Sequence, residues 1–295
     1  MTAPTITTEA PLTPDQIAEF EERGYLTLPG VFSSDEVAAM RHAADRLLEV
    51  TLNSALATGE WNPRLDLTQK DGRVDVRKLQ PINDASETLR LASEDERLVA
   101  PMRQLMGDEP TLMEEKLNYK QVISCDALLE RFPVRTGDDR FPLHHDWGYY
   151  RQQGYPTSTM SSAICIDACT HENGPLRVIP GTHRRDDWPL MDPDAASGNG
   201  VVADGLFAEE DRVDCVAPEG SVLLFHSLLL HDSKPNTTGR PRRLMIYSHY
   251  PSVYGMEKDE RNGPGRAAAR RIEDAYRQLL ARGEYQDRWV AYSIQ

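Results

Sequence analysis

Two histidines and an aspartate stand side by side at His144, His145 and Asp146, inside the stretch FPLHHDWGYY. In an extended chain side chains alternate faces, so His144 and Asp146 share one side and His145 takes the other. One imidazole and one carboxylate are part of the set of two histidines and one carboxylate that a non-haem iron(II) centre uses while keeping open positions. A third ligand must therefore come from elsewhere in the chain. Without it, a His-x-Asp pair is most simply a hydrogen-bonded polar pair at a strand end.

The stretch GSVLLFHSLLLHDSKPNTTGRPRRL offers two partners, His226 and His231. His226 closes an apolar run and suits a core edge. His231 is followed by Asp232 and Ser233, where the run gives way to a polar turn, the usual setting for chemistry, and is preferred. Eleven positions further, Arg242 heads the next apolar strand, where a guanidinium is costly unless it meets a carboxylate or solvent. Aimed into a barrel, it suits a two-oxygen anion.

These residues sit in a chain of 295 residues with 33 basic and 47 acidic side chains, a formal charge of −14. Such a surface repels nucleic acid and anionic membranes. Cys125, Cys165, Cys169 and Cys215 lack metal-type spacing and read as buried small hydrophobes in a reducing cytoplasm. No apolar run approaches the roughly 18 residues of a membrane span, and the N-terminus lacks a signal-peptide pattern. A soluble cytoplasmic protein, rich in arginine and alanine as in many bacteria, is expected.

The elements that must position the site begin after a tail over residues 1–12. Thr13, Pro14 and Gln16 predict a capped helix that Gly24 ends, and YLTLPG a short strand. Ser33 and Glu36 open a second helix carrying Val37, Met40, Ala44 and Leu47. The polar stretch NSALATGEWNPRLDLTQKDGRVD predicts a loop over a site. Ser93 and Glu96 start a helix that stops at Gly107. From about residue 111 to 250 short β-branched and aromatic runs alternate with glycine and proline, which predicts a sandwich or barrel. A last helix carries Ile272, Ala275, Tyr276, Leu279 and Leu280 on one face, with Gly283 as its stop. The plan is one domain over 13–295, mainly β with flanking helices.

Taken together, His144-x-Asp146, NGPLRVIPGTH from Asn173 to His183, His231-x-Ser233 and Arg242 closely resemble the phytanoyl-CoA dioxygenase family of iron(II)/2-oxoglutarate oxygenases. LTPDQIAEFEERGYLTLPGVFS is similar to that family's opening, and the likeness runs from about Leu12 to Pro251. It implies a double-stranded β-helix, or jelly roll. It implies that His144, Asp146 and His231 bind iron(II), that 2-oxoglutarate chelates the metal, and that its distal carboxylate pairs with Arg242 and Ser233. Lys120, in NYKQ, matches a family lysine that reaches the co-substrate. Gly174, Pro180 and Gly181 belong to a structural hairpin, and His183 to a structural hydrogen bond.

The implied reaction uses dioxygen to hydroxylate an unactivated C–H bond of a small metabolite, of amino-acid or natural-product type. Asp146 stands where related halogenases carry a small residue, which implies oxygen insertion rather than halogenation. Desaturation, epoxidation, ring rearrangement and a non-catalytic zinc-binding barrel stay open. Trp147, Tyr149 and Tyr150, with Arg151 and Gln152 behind them, either pack or touch substrate. His145 departs from the glutamine common in the family; strand parity argues against it as a ligand. Arg243, directly after Arg242, is a second departure: only one can face inward, and against the family pattern the spacing from His231 favours Arg242 and leaves Arg243 the more exposed. No basic run suits a coenzyme A thioester, and the oligomeric state is open.

Overall fold

The computed structural model describes residues 11–189, 191, 200–203, 205–256 and 262–289. Most of the expected tail, residues 1–10, lies outside them. Leu12, assigned to that tail, is instead buried, and its backbone exchanges hydrogen bonds with the Gln104 amide. Helix α1 (Pro14–Arg23) starts at the Thr13–Gln16 capping box and stops at Gly24, followed by β1 (Tyr25–Leu28). Helix α2 (Ser34–Thr58) starts at the Ser33–Glu36 box and runs for 25 residues.

The predicted loop is not a loop. Its first residues, 53–58, are the last turns of α2, where Asn53 uses its buried amide to hold the Trp289 carbonyl. The rest forms a hairpin, β2 (Leu65–Lys70) and β3 (Arg73–Leu79), turned at Asp71 and Gly72 with φ of 52° and 77°. Asp-Gly is a favoured pair for such a turn; the polar residues around it hid the signal. Helices α3 (Glu87–Ser93) and α4 (Glu96–Met106) follow, and α4 is capped by Asp95, not by Ser93. The Ser93 hydroxyl is committed to the Arg90 carbonyl and the Asn83 amide.

Then come β4 (Pro110–Ile123), α5 (Asp126–Arg131), β5 (Arg135–Thr136), β6 (Phe141–His144) and α6 (Trp147–Tyr150). After them run β7 (Met160–Cys165), β8 (Arg177–Val178), β9 (Val213–Asp214), β10 (Val222–His226), β11 (His231–Ser233), β12 (Arg242–Pro251) and α7 (Gly263–Ala281). Two sheets result, in the orders β1-β10-β7-β12-β4-β3-β2-β5 and β6-β11-β8-β9. Together they make the mainly β jelly-roll core.

Strand β12 lies between β4 and β7 and is buried at every position. Its period-2 alternation separates two environments. Met245 and Tyr247, with Leu117 and Tyr119 of β4, face Val37, Leu48 and Leu52 of α2 in the main apolar core. Leu244 and Ile246 face the space between the sheets. Full burial of a leucine such as Leu48 contributes roughly 1.5–3 kcal/mol, so α2 holds the sheet's outer face firmly.

Helix α7 buries Ala269, Ile272, Glu273 and Tyr276, while Leu280 is 37% exposed. The buried stripe therefore includes a carboxylate and omits Leu280. Its reason is the fully buried Arg64, which binds Glu273 at 2.7 Å and Asp84 at 2.8 Å. All four cysteines are free and buried. No helix among the described residues is long and apolar enough to cross a membrane.

Candidate active site

His144, the last residue of β6, pairs directly with His231, the first of β11, and their ring centroids are 4.1 Å apart. Asp146 reaches the same point by a different route from the one expected. Its backbone is helical (φ −63°, ψ −36°) rather than extended, because the chain turns into α6. Backbone bonds from His145 N–H to Gly200 and from Trp147 N–H to Ser227 fix that turn. Asp146 Oδ1 ends 3.7 Å from His144 Nε2 and 3.8 Å from His231 Nε2. His145 points away: its Nδ1 accepts from the Gly148 N–H and its ring lies nearly parallel to Trp147. His226 stands apart beside His183, with ring centroids 5.4 Å apart.

The donor set fits a divalent metal. The donor atoms of the three buried residues lie within 4.8 Å of one another. Nδ1 of His144 is 2.7 Å from the Pro142 carbonyl, and Nδ1 of His231 is 2.9 Å from the Leu229 carbonyl. A carbonyl only accepts, so both Nδ1 atoms carry a proton and both rings turn Nε2 toward Asp146. Burial, then the charge of His231, pushes His144 down to about 3, so its ring is neutral. Burial pushes Asp146 up, but Lys116, His231 and His144 outweigh it and keep the carboxyl ionised. No fourth His, Cys, Asp or Glu joins the cluster among the described residues, whereas a structural zinc site closes with four ligands.

A second unmet requirement lies in the same cavity of about 360 Å³ between the sheets. Arg242 is 2% exposed; Nη2 donates to the Gly174 carbonyl, while Nε and Nη1 are buried with no partner. Ser233 Oγ is buried without a partner as well. Leaving a buried donor unsatisfied costs about 1–3 kcal/mol, more when charged. The pair fits a carboxylate guest. Arg243, expected to be the more exposed, is only 4% exposed. It faces α2 and is neutralised there by Asp167 at 2.7 Å and Asp45 at 2.5 Å.

Residues 20–244 match the family profile described as "Phytanoyl-CoA dioxygenase (PhyH)". The chain belongs to that family. Within it, an ectoine dioxygenase of Sphingopyxis alaskensis is 29% identical over 272 residues, spanning 85% of this chain and 82% of the relative. A crystal structure of EctD from S. alaskensis with bound Fe superposes with a TM-score of 0.62 at 27% identity, covering 86% of this chain and 82% of that one. The structure of EctD with 2-oxoglutarate and 5-hydroxyectoine gives a TM-score of 0.62 at 28% identity, covering 84% and 79%.

The family lysine matched by Lys120 is not on the cavity wall here. Its Nζ donates to the Asp139 carbonyl at 2.6 Å, and its stem lies against Gly174. Gly174 has φ of 69°, and any side chain there would collide with the Lys234 carbonyl, so the hairpin needs glycine. Burial, then Arg242, lowers Lys120 to about 7. The unfolded lysine, near 10.4, holds more protons than the folded one across that window, so stability rises with pH from about 7 to about 10. In Lys120→Met this part of the rise disappears from denaturant midpoints of the metal-free protein. Parallel curves for the two proteins would show that Lys120 titrates normally.

His183 packs its ring against Gly24 and does not line the cavity. Trp147 also lies off the wall, its Nε1–H donating to the Tyr155 carbonyl, whereas Tyr149 and Tyr150 line it. Tyr150 donates to Glu114 at 2.9 Å, and Glu114 binds Lys116 at 2.6 Å. Neither Arg151 nor Gln152 lines the cavity. Glu114, Lys116 and Asn118 of β4, with Arg77 and Arg135, are wall residues that sequence reasoning missed. A signal was present: polar residues at 114, 116, 118 and 120 alternate with Leu117 and Tyr119, the period of a strand with one polar face.

Proposed function

We propose that the protein is an iron(II)- and 2-oxoglutarate-dependent oxygenase that hydroxylates an unactivated C–H bond of a small metabolite. The observation that carries this is one cavity joining a buried His-Asp-His cluster to the unpaired donors of Arg242 and Ser233. His144, Asp146 and His231 hold the metal, and Arg242 with Ser233 holds the distal carboxylate of 2-oxoglutarate. Bound iron and 2-oxoglutarate supply dioxygen activation, with succinate and carbon dioxide as by-products. The relative's name and the 5-hydroxyectoine in its structure support a small hydroxylated product.

The chain's own contribution is placement. The Pro142 and Leu229 carbonyls hold both imidazoles in one tautomer and one orientation. Asp146 would supply the one anionic oxygen ligand beside the two imidazoles, and no fourth His, Cys, Asp or Glu among the described residues would close the set. Val201, Phe225, Leu244 and Ile246 supply apolar wall that restricts which C–H bond approaches, a restriction worth several kcal/mol in favourable cases. Residues 13–295 act as one catalytic domain. Four free thiols suit the cytoplasm, and the acidic surface leaves nucleic acid and membranes out of the reaction.

Anaerobic titration tests this. Iron(II) and 2-oxoglutarate together should raise a weak visible charge-transfer band that saturates at one iron per chain, and either alone should not. Absence of the band with both present would sink the assignment.

A further inference from the structure

Strand β3 carries an irregularity that aims two consecutive side chains into the cavity. Against β2, Asp66 pairs with Lys78 and Leu67 with Val76, so Arg77 is an extra residue with no opposite number. Against β4, Val76 pairs with Gln121 and Lys78 with Asn118, and the register shifts again between Val76 and Lys78. Regular alternation would send Arg77 and Lys78 to opposite faces; here both line the cavity. Bulges beside active sites commonly re-aim a side chain in this way.

Arg77 is 7% exposed, and its Nε is buried with no hydrogen-bond partner. Its nearest carboxylate, Asp66, lies 3.4 Å from Nη1, while Arg135 takes the same Asp66 at 2.6 Å. Nη2 donates to the Arg140 carbonyl at 3.0 Å, and the guanidinium carbon sits 4.4 Å from the Phe141 ring centroid. The plane is thus held from two sides while one of its donors is left over. Across the same wall Asn118 Oδ1 is also buried without a partner. A cation wanting a planar anion and an acceptor wanting N–H or O–H are complementary to a small acid with a nearby donor.

Resting on the oxygenase reading above, we propose that Arg77 determines substrate specificity by binding the carboxylate of a small amino or hydroxy acid, whose N–H or O–H donates to Asn118. This guest is separate from 2-oxoglutarate, which Arg242 takes from β12 on the far side of β4. Arg77's fork matches carboxylate geometry, and a site built to pair a charged group rejects the neutral isostere strongly, because its own buried donor is then left unpaired.

The test uses the full-length protein loaded with zinc in place of iron and saturated with N-oxalylglycine, an unreactive 2-oxoglutarate analogue, so that binding is read without turnover. Ligand-observed NMR then screens α-amino, cyclic imino, β-amino and α-hydroxy acids, each beside its primary amide. At least one acid should bind tenfold or more tightly than its amide. Arg77→Gln should erase that preference, and Arg77→Lys should keep part of it. No acid preference in the parent, or a preference that survives Arg77→Gln, overturns the proposal. So does a tenfold loss of 2-oxoglutarate affinity in Arg77→Gln with the acid preference intact. Should Arg77→Gln fail to fold, the parent comparison and Arg77→Lys still decide. Substrate-independent succinate release by the iron-loaded parent is the separate control. Succinate without acid preference removes only the Arg77 assignment; acid preference without succinate removes the oxygenase reading and leaves an acid-binding arginine.

Discussion

Asp146→Ala lowers iron-dependent succinate release by more than about a hundredfold, because even groups that merely orient metal ligands are worth roughly 10–100-fold. Asp146 is the only anion in the His-Asp-His set. Without it, two histidines on adjacent strands remain, and a hard divalent ion loses its oxygen ligand. The measurement is succinate formed per chain at saturating iron(II), read beside the anaerobic charge-transfer band. Both should fall together. A variant that keeps either at the parental level would show that the carboxylate is not a ligand.

Arg242→Gln raises the KM for 2-oxoglutarate by roughly a hundredfold, since a charge-assisted hydrogen bond contributes about 1.5–3 kcal/mol and 1.4 kcal/mol is tenfold. The same substitution should make the ligand-free protein more resistant to denaturant, not less. Arg242 is buried with two unpaired donors and burial already lowers its pKa, so the folded state bears a cost that the glutamine reduces. Stability and function commonly pull apart at such positions. Arg243→Gln gives the opposite signature. It breaks buried pairs with Asp45 and Asp167, which should cost about 3–5 kcal/mol, while the KM stays near the parental value. If both variants destabilise and neither moves the KM, the guanidinium of Arg242 is structural.

Much of this was legible in the residues. Capping boxes at Thr13 and Ser33 and the stop at Gly24 mark helix ends through local hydrogen bonds, and local rules suffice there. His231 could be preferred over His226 because a polar turn follows it, and the structure indeed places His231 beside His144 and His226 away from it. What could not be read is what depends on distant partners. Arg243 looked exposed because Asp45 and Asp167 lie 198 and 76 positions away. The β2–β3 hairpin looked like a loop because polar side chains that line a cavity resemble those that face water. Asp146 was placed correctly relative to His144 for an incomplete reason: strand parity and a tight helical turn happen to turn the carboxylate the same way.

Strand β12 bears Arg242 at its start and is hydrogen-bonded along both edges, whereas β5, which brings in Arg135, is a two-residue strip on the sheet margin. Amide protons of β12 should therefore exchange only with global opening, and those of the margin through local fraying. The consequence is evolutionary: descendants can rewrite the hairpin and its neighbours to accept new molecules while Arg242, the proposed anchor for the shared co-substrate, stays in the slowest-opening part of the molecule.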